Sequence, residues 1–353
     1  MPQKAIITLT QNHASLVTNR PLPSPRDDYI LVRTTAVALN PIDWMLLAST
    51  PAPNAVMGHD YAGTVLDVGN SVRGRFKPGD RVCGMVKGGD ATRIENGAFA
   101  EYIVAKAGVQ MKIPDAVEFA DAATAGVGVV SAGMCLFGRG GLGMRFPGLE
   151  VGDDAQSKDR AVLIYGGSSA SGLWGIQFAK LAGYTVITTC SPRNFDLVRR
   201  FGADAVCDYR GPECIQRIRE YAANGLRFVY DTIATEESAR ICSEAICPAG
   251  GRYHSLLPVP PFLRPEIHCS WVNCSVAMGE AFEYGPERME IPAMPEEFEF
   301  VSRWTTMVEA LWAEGKLRTP VVEARQNGLG GVLDGLKDLK EGKISGKKLV
   351  YLV

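Results

Sequence analysis

The sequence predicts an α/β chain of two parts, a β-rich N-terminal region and a doubly wound parallel sheet. Three observations carry this. The 353 residues exceed the roughly 100–200 of a single domain. Residues 1–125 hold short β-prone runs separated by Pro and Gly turn signals. From Ala161 the texture changes to apolar runs alternating with helical stretches, the succession of a parallel sheet.

Residues 29–37 and 63–69 read as strands, with Lys77-Pro78-Gly79-Asp80 as a turn. Residues 120–137 lack Pro, are rich in small apolar side chains and read as one helix. Residues 138–160, rich in Gly and charge, read as an exposed loop. Residues 161–165 are a continuous apolar run, as expected of a buried parallel strand. A helix at 171–182 follows, then strand 185–189, a helix at 195–201, strand 205–207 and a helix at 213–223. Strand 228–231, a helix at 236–246 and strand 252–256 complete the series. The C-terminal part holds helices near 297–314 and 329–341 and a strand at 347–353.

Lys plus Arg number 37 against 39 for Asp plus Glu, a net charge of -2, so charge gives no reason to expect nucleic acid or an anionic membrane as partner. No run approaches the about eighteen uninterrupted apolar residues of a membrane span. Met1-Pro2-Gln3-Lys4 and the short apolar run behind it make no secretory signal. The nine cysteines, an odd number without a paired framework, read as the reduced thiols of a cytoplasmic protein.

The strand at 161–165 runs into Gly166-Gly167-Ser168-Ser169-Ala170-Ser171-Gly172 and then a helix. Such a turn presents backbone N–H groups and the positive helix end to a pyrophosphate. Gly166 permits the turn and Gly172 a close helix–sheet contact, while Ser169 and Ala170 replace the usual middle glycine. Gly166, Gly167, Ser168, Ser169 and Ala170 are therefore expected at a dinucleotide; the alternative is a plain strand-to-helix turn. An NAD site carries Asp or Glu about twenty residues further on, for the ribose 2′-hydroxyl. Here Cys190-Ser191-Pro192-Arg193-Asn194 has no carboxylate. Ser191, Arg193 and Asn194 suit the 2′-phosphate of NADPH, although Arg193 alone also reads as a solvated cation. Tyr209 and Arg210 are placed to stack on the adenine or add charge.

Gly58-His59-Asp60-Tyr61-Ala62-Gly63 resembles the Gly-His-Glu signature of zinc alcohol dehydrogenases in the medium-chain dehydrogenase/reductase superfamily. A catalytic zinc takes about three protein ligands and a structural zinc about four. Asn40 stands where those enzymes carry their first Cys, and their cysteine-rich lobe is reduced here to Cys83. His59 alone cannot hold the metal and otherwise reads as a hydrogen-bonded pocket or core histidine. Cys242 with Cys247, and Cys269 with Cys274, read as buried thiols. No zinc is expected.

Within that superfamily the whole chain resembles the stand-alone, trans-acting enoyl reductases of fungal polyketide synthases. The likeness rests on Asn40-Pro41-Ile42-Asp43-Trp44, on Gly126-Val127-Gly128-Val129-Val130-Ser131-Ala132-Gly133, and on the loops at 166–172 and 190–196. Further matches are Gly250-Gly251-Arg252-Tyr253-His254-Ser255-Leu256, Gly279-Glu280-Ala281-Phe282-Glu283-Tyr284-Gly285 and the tail at 342–350. The resemblance implies a GroES-like β-barrel domain from both chain ends, 1–125 and 300–353, around a Rossmann NADPH-binding domain, 126–299. Nicotinamide and substrate would share the cleft between them. It implies hydride addition to the β-carbon of an α,β-unsaturated acyl thioester, then protonation of the α-carbon. The thioester would hang on the acyl carrier domain of a partner polyketide synthase. Such reductases tend toward monomers, whereas many members of the wider superfamily dimerise.

The same resemblance supplies candidates. Ser131 matches a small hydroxyl close to the nicotinamide, or is a helix serine bonded to its own backbone; His59 and Tyr61 are the other catalytic candidates. Asn40 and Asp43 are expected to form the pocket floor beside the cofactor, with Leu256 at its border. Trp44 would line the acyl channel or pack in the core. Met45 stands where relatives often carry Lys, and no Tyr or Lys stands out as a replacement. Residues 256–290, with Met278 and Phe282, read as apolar, irregular and bordering the substrate channel. The alternatives are an NADPH reductase of free enals or quinones and a degenerate docking subunit of a synthase.

Overall fold

The computed structural model describes residues 2–148, 160–260, 264–284 and 287–353. The chain divides into two units, Met1–Val130 with Ser275–Val353, and Ser131–Cys274. The units part at 130/131, inside a helix, and at 274/275, in the 3₁₀ turn Cys274–Met278, the expectation being 125/126 and 299/300.

The first unit opens with the antiparallel pair β1 (Pro2–Thr10) and β2 (His13–Pro21). Its N-terminal part continues with β3 (Tyr29–Ala38), helix α1 (Pro41–Ser49), β4 (Asp60–Val68), β5 (Arg81–Met85), β6 (Tyr102–Lys106) and β7 (Gln110–Lys112). Pro41 opens α1, where a missing N–H costs nothing and the fixed φ suits a helix. The stretch read as one helix is instead α2 (Phe119–Ala122), a 3₁₀ turn (Ala123–Ala125) and α3 (Gly126–Phe137). The break has a cause far along the chain: Val127 N donates to Asp60 Oδ1 at 2.6 Å, and a side chain at Gly126 would collide with Asp60 and Gly84. Phe119–Phe137 has the length and hydropathy of a membrane span, but 83% of its most apolar window is buried inside the protein, so its hydropathy is that of a core.

The second unit is built on β8 (Ala161–Tyr165), β9 (Thr185–Thr189), β10 (Ala205–Cys207), β11 (Phe228–Asp231), β12 (Gly251–Ser255) and β13 (Ile267–Trp271). All pair in parallel, in the order β10-β9-β8-β11-β12-β13. This is the doubly wound order of dinucleotide-binding sheets, whose ligand sits at the strands' C-terminal ends where the order reverses. Here the reversal lies at β8. Helices α4 (Ala170–Leu181), α5 (Phe195–Arg200), α6 (Cys214–Tyr221) and α7 (Glu236–Ala245) connect the strands.

Two loop expectations are corrected. In the segment read as an exposed loop, Leu142 and Met144 are buried, because Arg252 donates to Leu142 O at 2.9 Å and holds the chain down; its residues 149–159 lie outside the described residues, as do Pro261 and Gly285. The segment read as irregular contains β13 and the hairpin β14 (Phe282–Tyr284) with β15 (Met289–Ile291). Edge strands of this kind bury little, so no apolar alternation marks them.

After that hairpin the first unit continues with α8 (Pro295–Ala313), β16 (Val322–Arg325), α9 (Val332–Lys340) and β17 (Lys348–Leu352). β17 pairs parallel with β16 and antiparallel with β3, so the C-terminus closes the sheet begun by the N-terminus.

His254 on β12 is buried, with Nδ1 2.8 Å from Ser270 Oγ. Burial pulls its pKa from the ordinary 6.5 to about 4. Between those values the unfolded chain binds more protons, so stability present at neutral pH is lost as pH falls toward 4. The shift is worth about 3 kcal/mol. His254→Asn is expected to flatten the fall of Tm across that window; an unchanged slope would assign the acid sensitivity elsewhere.

Candidate active site

At the end of β8 the chain turns on Gly166, whose φ of +79° lies in the left-handed region open to glycine. Gly166 N donates to Thr189 Oγ1 at 3.1 Å and Gly167 N to Thr189 O at 2.9 Å, so the loop is laid across β9. A side chain at Gly167 would overlap Thr188 Oγ1, and one at Gly172 would meet Gly166 O and Gly167. Ser169 explains the missing middle glycine. It caps α4, its Oγ accepting from Gly172 N at 2.9 Å and donating to Thr232 Oγ1 at 2.9 Å. A glycine turn packed this closely on the sheet, at a helix N-terminus on the reversal point, fits a pyrophosphate.

Past β9, Ser191 begins a 3₁₀ turn over Pro192–Asn194, with Arg193 exposed and Asn194 buried. Tyr209 is half-exposed, its ring 6.3 Å from that of Tyr165 and 5.4 Å from the Arg210 guanidinium. Arg210 also reaches Asp208, so its charge is partly spent within its own turn. Leu256 follows β12, its N–H donating to Asp231 O.

The first unit holds a buried polar cluster. Asn40 N donates to Asp43 Oδ2 at 2.7 Å, and His59 Nδ1 to Asp43 Oδ1 at 2.6 Å. Lys348 Nζ lies 2.5 Å from Asn40 Oδ1 and 2.7 Å from Asp60 Oδ2. All five side chains are almost fully buried. Two polar atoms are left over: Asn40 Nδ2 and His59 Nε2 are buried with no partner among the described residues. An unsatisfied buried group costs about 1–3 kcal/mol, so each of the two calls for a partner that the cluster does not supply. Asp43 and His59 also line a narrow cleft with about 10 Å³ of enclosed space, room for about one water, beside Leu46, Leu47, Met57 and Gly89.

Lys348 escapes sequence reading because it follows another lysine in a polar tail. The available signal is its run into Leu349-Val350-Tyr351: Lys347 is exposed, but β17 is buried on both faces at Lys348, where an ammonium demands partners.

Other candidates land elsewhere. Tyr61 is fully buried, its hydroxyl donating to Gln110 Oε1 at 3.0 Å, and burial pushes its pKa well above the usual value. It is a core tyrosine with its proton already committed. Trp44 packs on the core of the first unit, with Lys340 Nζ 5.6 Å from its ring, and does not line the cleft. Met45 is half-buried on α1. Met278 and Phe282 are buried, Phe282 with Lys87 Nζ 4.8 Å from its ring; neither lines the cleft. Ser131 is buried in α3.

The donor set does not fit zinc. An amide stands at residue 40 and an ammonium sits between Asn40 and Asp60, which leaves His59 without companion ligands. Among the described residues no three His, Cys, Asp or Glu side chains converge.

Residues 26–115 match the family model of the alcohol dehydrogenase GroES-like domain and residues 170–256 that of the zinc-binding dehydrogenase. The chain is 40% identical over 360 residues to Trans-enoyl reductase resD of Aspergillus sclerotiorum, covering 99% of this chain and 100% of the relative. It is 42% identical over 338 residues to Trans-enoyl reductase FSL5 of Gibberella zeae, covering 94% and 92%. An alcohol dehydrogenase superfamily protein from Novosphingobium aromaticivorans superposes with a TM-score of 0.78 at 23% identity, over 100% of both chains. A mycobacterial protein complexed with NADPH superposes with 0.71 at 23% identity, over 99% and 100%. The solved structures speak to the fold, a GroES-like domain with a Rossmann domain; the full-length relatives speak to the enzyme. On that likeness the chain belongs to the trans-enoyl reductases of the medium-chain dehydrogenase/reductase superfamily.

Proposed function

We propose that the chain is an NADPH-dependent enoyl reductase that saturates the α,β double bond of an acyl thioester carried by a partner polyketide synthase. The observation that carries this reading is identity near 40% to named trans-enoyl reductases along the whole chain. When bound, NADPH supplies the hydride. Gly166 and Gly167 let the pyrophosphate approach the backbone, and Ser191 with Arg193 hold the 2′-phosphate where an NAD enzyme would carry a carboxylate. Leu46, Leu47 and Met57 put apolar side chains at the narrow cleft, which has to widen to admit an acyl chain. Asp43 and His59 are the protonatable groups lining the cleft among the described residues, and this reading gives His59 Nε2 delivery of the α-carbon proton, with Asp43 holding Nδ1. We place the protein in the cytoplasm as a monomer. The cysteines form no disulfide among the described residues, which suits a reducing compartment.

The test mixes protein, NADPH and an α,β-unsaturated acyl-pantetheine, with NADH, a free enal and a quinone as parallel arms. Thioester-dependent NADPH oxidation with a gain of two hydrogens is expected. Turnover of the enal or quinone alone would overturn the substrate assignment, and failure to bind NADPH would make the chain a docking subunit.

Arg193→Ala is expected to weaken NADPH binding by about 10–100-fold, the worth of one charge-assisted hydrogen bond, and to leave NADH binding unchanged. Equal effects on both cofactors would remove the 2′-phosphate from this residue.

A further inference from the structure

Lys348 reaches the cluster from β17, the last strand of the chain, and is joined to Asn40 and Asp60 by contacts that no local sequence pattern announces. A lysine ammonium has donors and no acceptor, so the atom of Asn40 that faces it is the carboxamide oxygen. That settles which way the amide points. Asn40 Nδ2 is turned from the lysine, buried, and bonded to nothing among the described residues. The rest of the residue is held as well: its backbone N–H is tied to Asp43 Oδ2, and Asp43 is tied to His59, which shares the lining of the cleft with it. Asp60, which shares the lysine, is anchored in turn by Val127 N.

From this juxtaposition we infer that Lys348 is a positioning residue that orients Asn40, whose Nδ2 donates a hydrogen bond to a carbonyl oxygen in the reacting complex. The inference rests on the enoyl reductase reading for its substrate. A buried amide held by an ammonium on one side offers a fixed donor on the other, and fixed donors need no rearrangement when charge builds on the oxygen they face. In enoyl reduction the alkene electron pair moves toward the thioester oxygen before the α-carbon is protonated. A donor on that oxygen lowers the barrier. The nicotinamide carboxamide also presents a carbonyl oxygen, and the two sources separate by measurement.

The variants are Asn40→Ala, the charge-balanced pair Lys348→Met with Asp60→Asn, the triple combination, and Lys348→Arg. Circular dichroism and Tm establish that each folds. Asn40→Ala is expected to lower kcat by about 100-fold, the loss typical of one oxyanion donor, with KM within about threefold. The charge-balanced pair is expected to lower kcat by at least about tenfold, yet to add less than about threefold in the Asn40→Ala background, because the lysine acts through the amide. Lys348→Arg, which keeps a donor on the amide oxygen, is expected to retain most of the activity.

NADPH titration of the same variants, and binding of a saturated acyl-pantetheine to protein without cofactor, identify the oxygen. A kcat loss with NADPH affinity unchanged assigns it to the thioester; weaker NADPH binding assigns it to the nicotinamide. If the wild type reduces only the enal or quinone, the thioester reading falls, and the variants are then measured on that acceptor. If it reduces nothing, the two titrations decide alone. The inference is overturned if Asn40→Ala moves neither kcat nor either affinity by more than about threefold, or if the losses at Lys348 and Asn40 multiply.

Discussion

Gly167→Ala is expected to weaken NADPH binding by about 100-fold or more while the protein stays folded. Gly167 is not among the residues with positive φ, so alanine meets no backbone penalty there. The obstacle is contact alone, because the added Cβ would overlap Thr188 Oγ1. Thr188 cannot give way. It is fully buried on β9 and donates to Ile164 O at 2.6 Å, inside the sheet. The loop must move instead, and it is the loop whose N–H groups are assigned to the pyrophosphate. Each charge-assisted hydrogen bond is worth about 1.5–3 kcal/mol, so misaligning two removes a factor of about 100 or more. The stability cost of the extra methyl is smaller, about 1–3 kcal/mol. A fluorescence titration of NADPH reads the first effect and thermal melting the second. Gly330→Ala, where an added Cβ meets nothing within 4 Å, is the control. The decisive variant is Gly167→Ala with Thr188→Ala, which restores the space and is expected to recover most of the affinity. If the single variant binds NADPH within about threefold of wild type, the loop is not the pyrophosphate cradle.

The cradle was legible in the sequence because every part of it is local. A buried apolar run, a glycine turn and a helix start follow one another within a dozen or so residues, and each obeys its own periodicity. The absence of a carboxylate after β9 is equally local. What was hidden depends on partners far along the chain. The break between α2 and α3 is made by Asp60, which takes the N–H of Val127. Tyr61 is a catalytic candidate by resemblance, yet it is fully buried on β4, where Gln110 on β7 accepts its hydroxyl hydrogen. Lys348 is the largest omission. No reading of the Met45 position could have supplied it, because the two residues are brought into one unit only by the pairing of β17 with β3.

The same pairing makes Lys348 a stability determinant, and Lys348→Met alone is expected to destabilise the first unit by about 3–5 kcal/mol. The cost is not the worth of the Lys348–Asp60 pair itself, since buried pairs roughly balance attraction against lost hydration. It arises because the Asp60 carboxylate, with no exposure to water, keeps a negative charge whose remaining partner is the Val127 N–H. At about 2–4 °C per kcal/mol for a unit of this size, Tm should fall by roughly 6–20 °C. Adding Asp60→Asn removes the stranded charge and is expected to return most of the lost stability, while leaving Asn40 without its orienting cation. The two consequences of the lysine thus come apart: Lys348→Met alone loses stability and activity, and the balanced pair loses activity with stability near that of the wild type. Equal Tm values for Lys348→Met and the wild type would show that Asp60 finds another partner or takes up a proton, and the lysine would then carry no part of the fold. A balanced pair as unstable as the single variant would trace the loss to packing of the buried lysine stem instead of to charge.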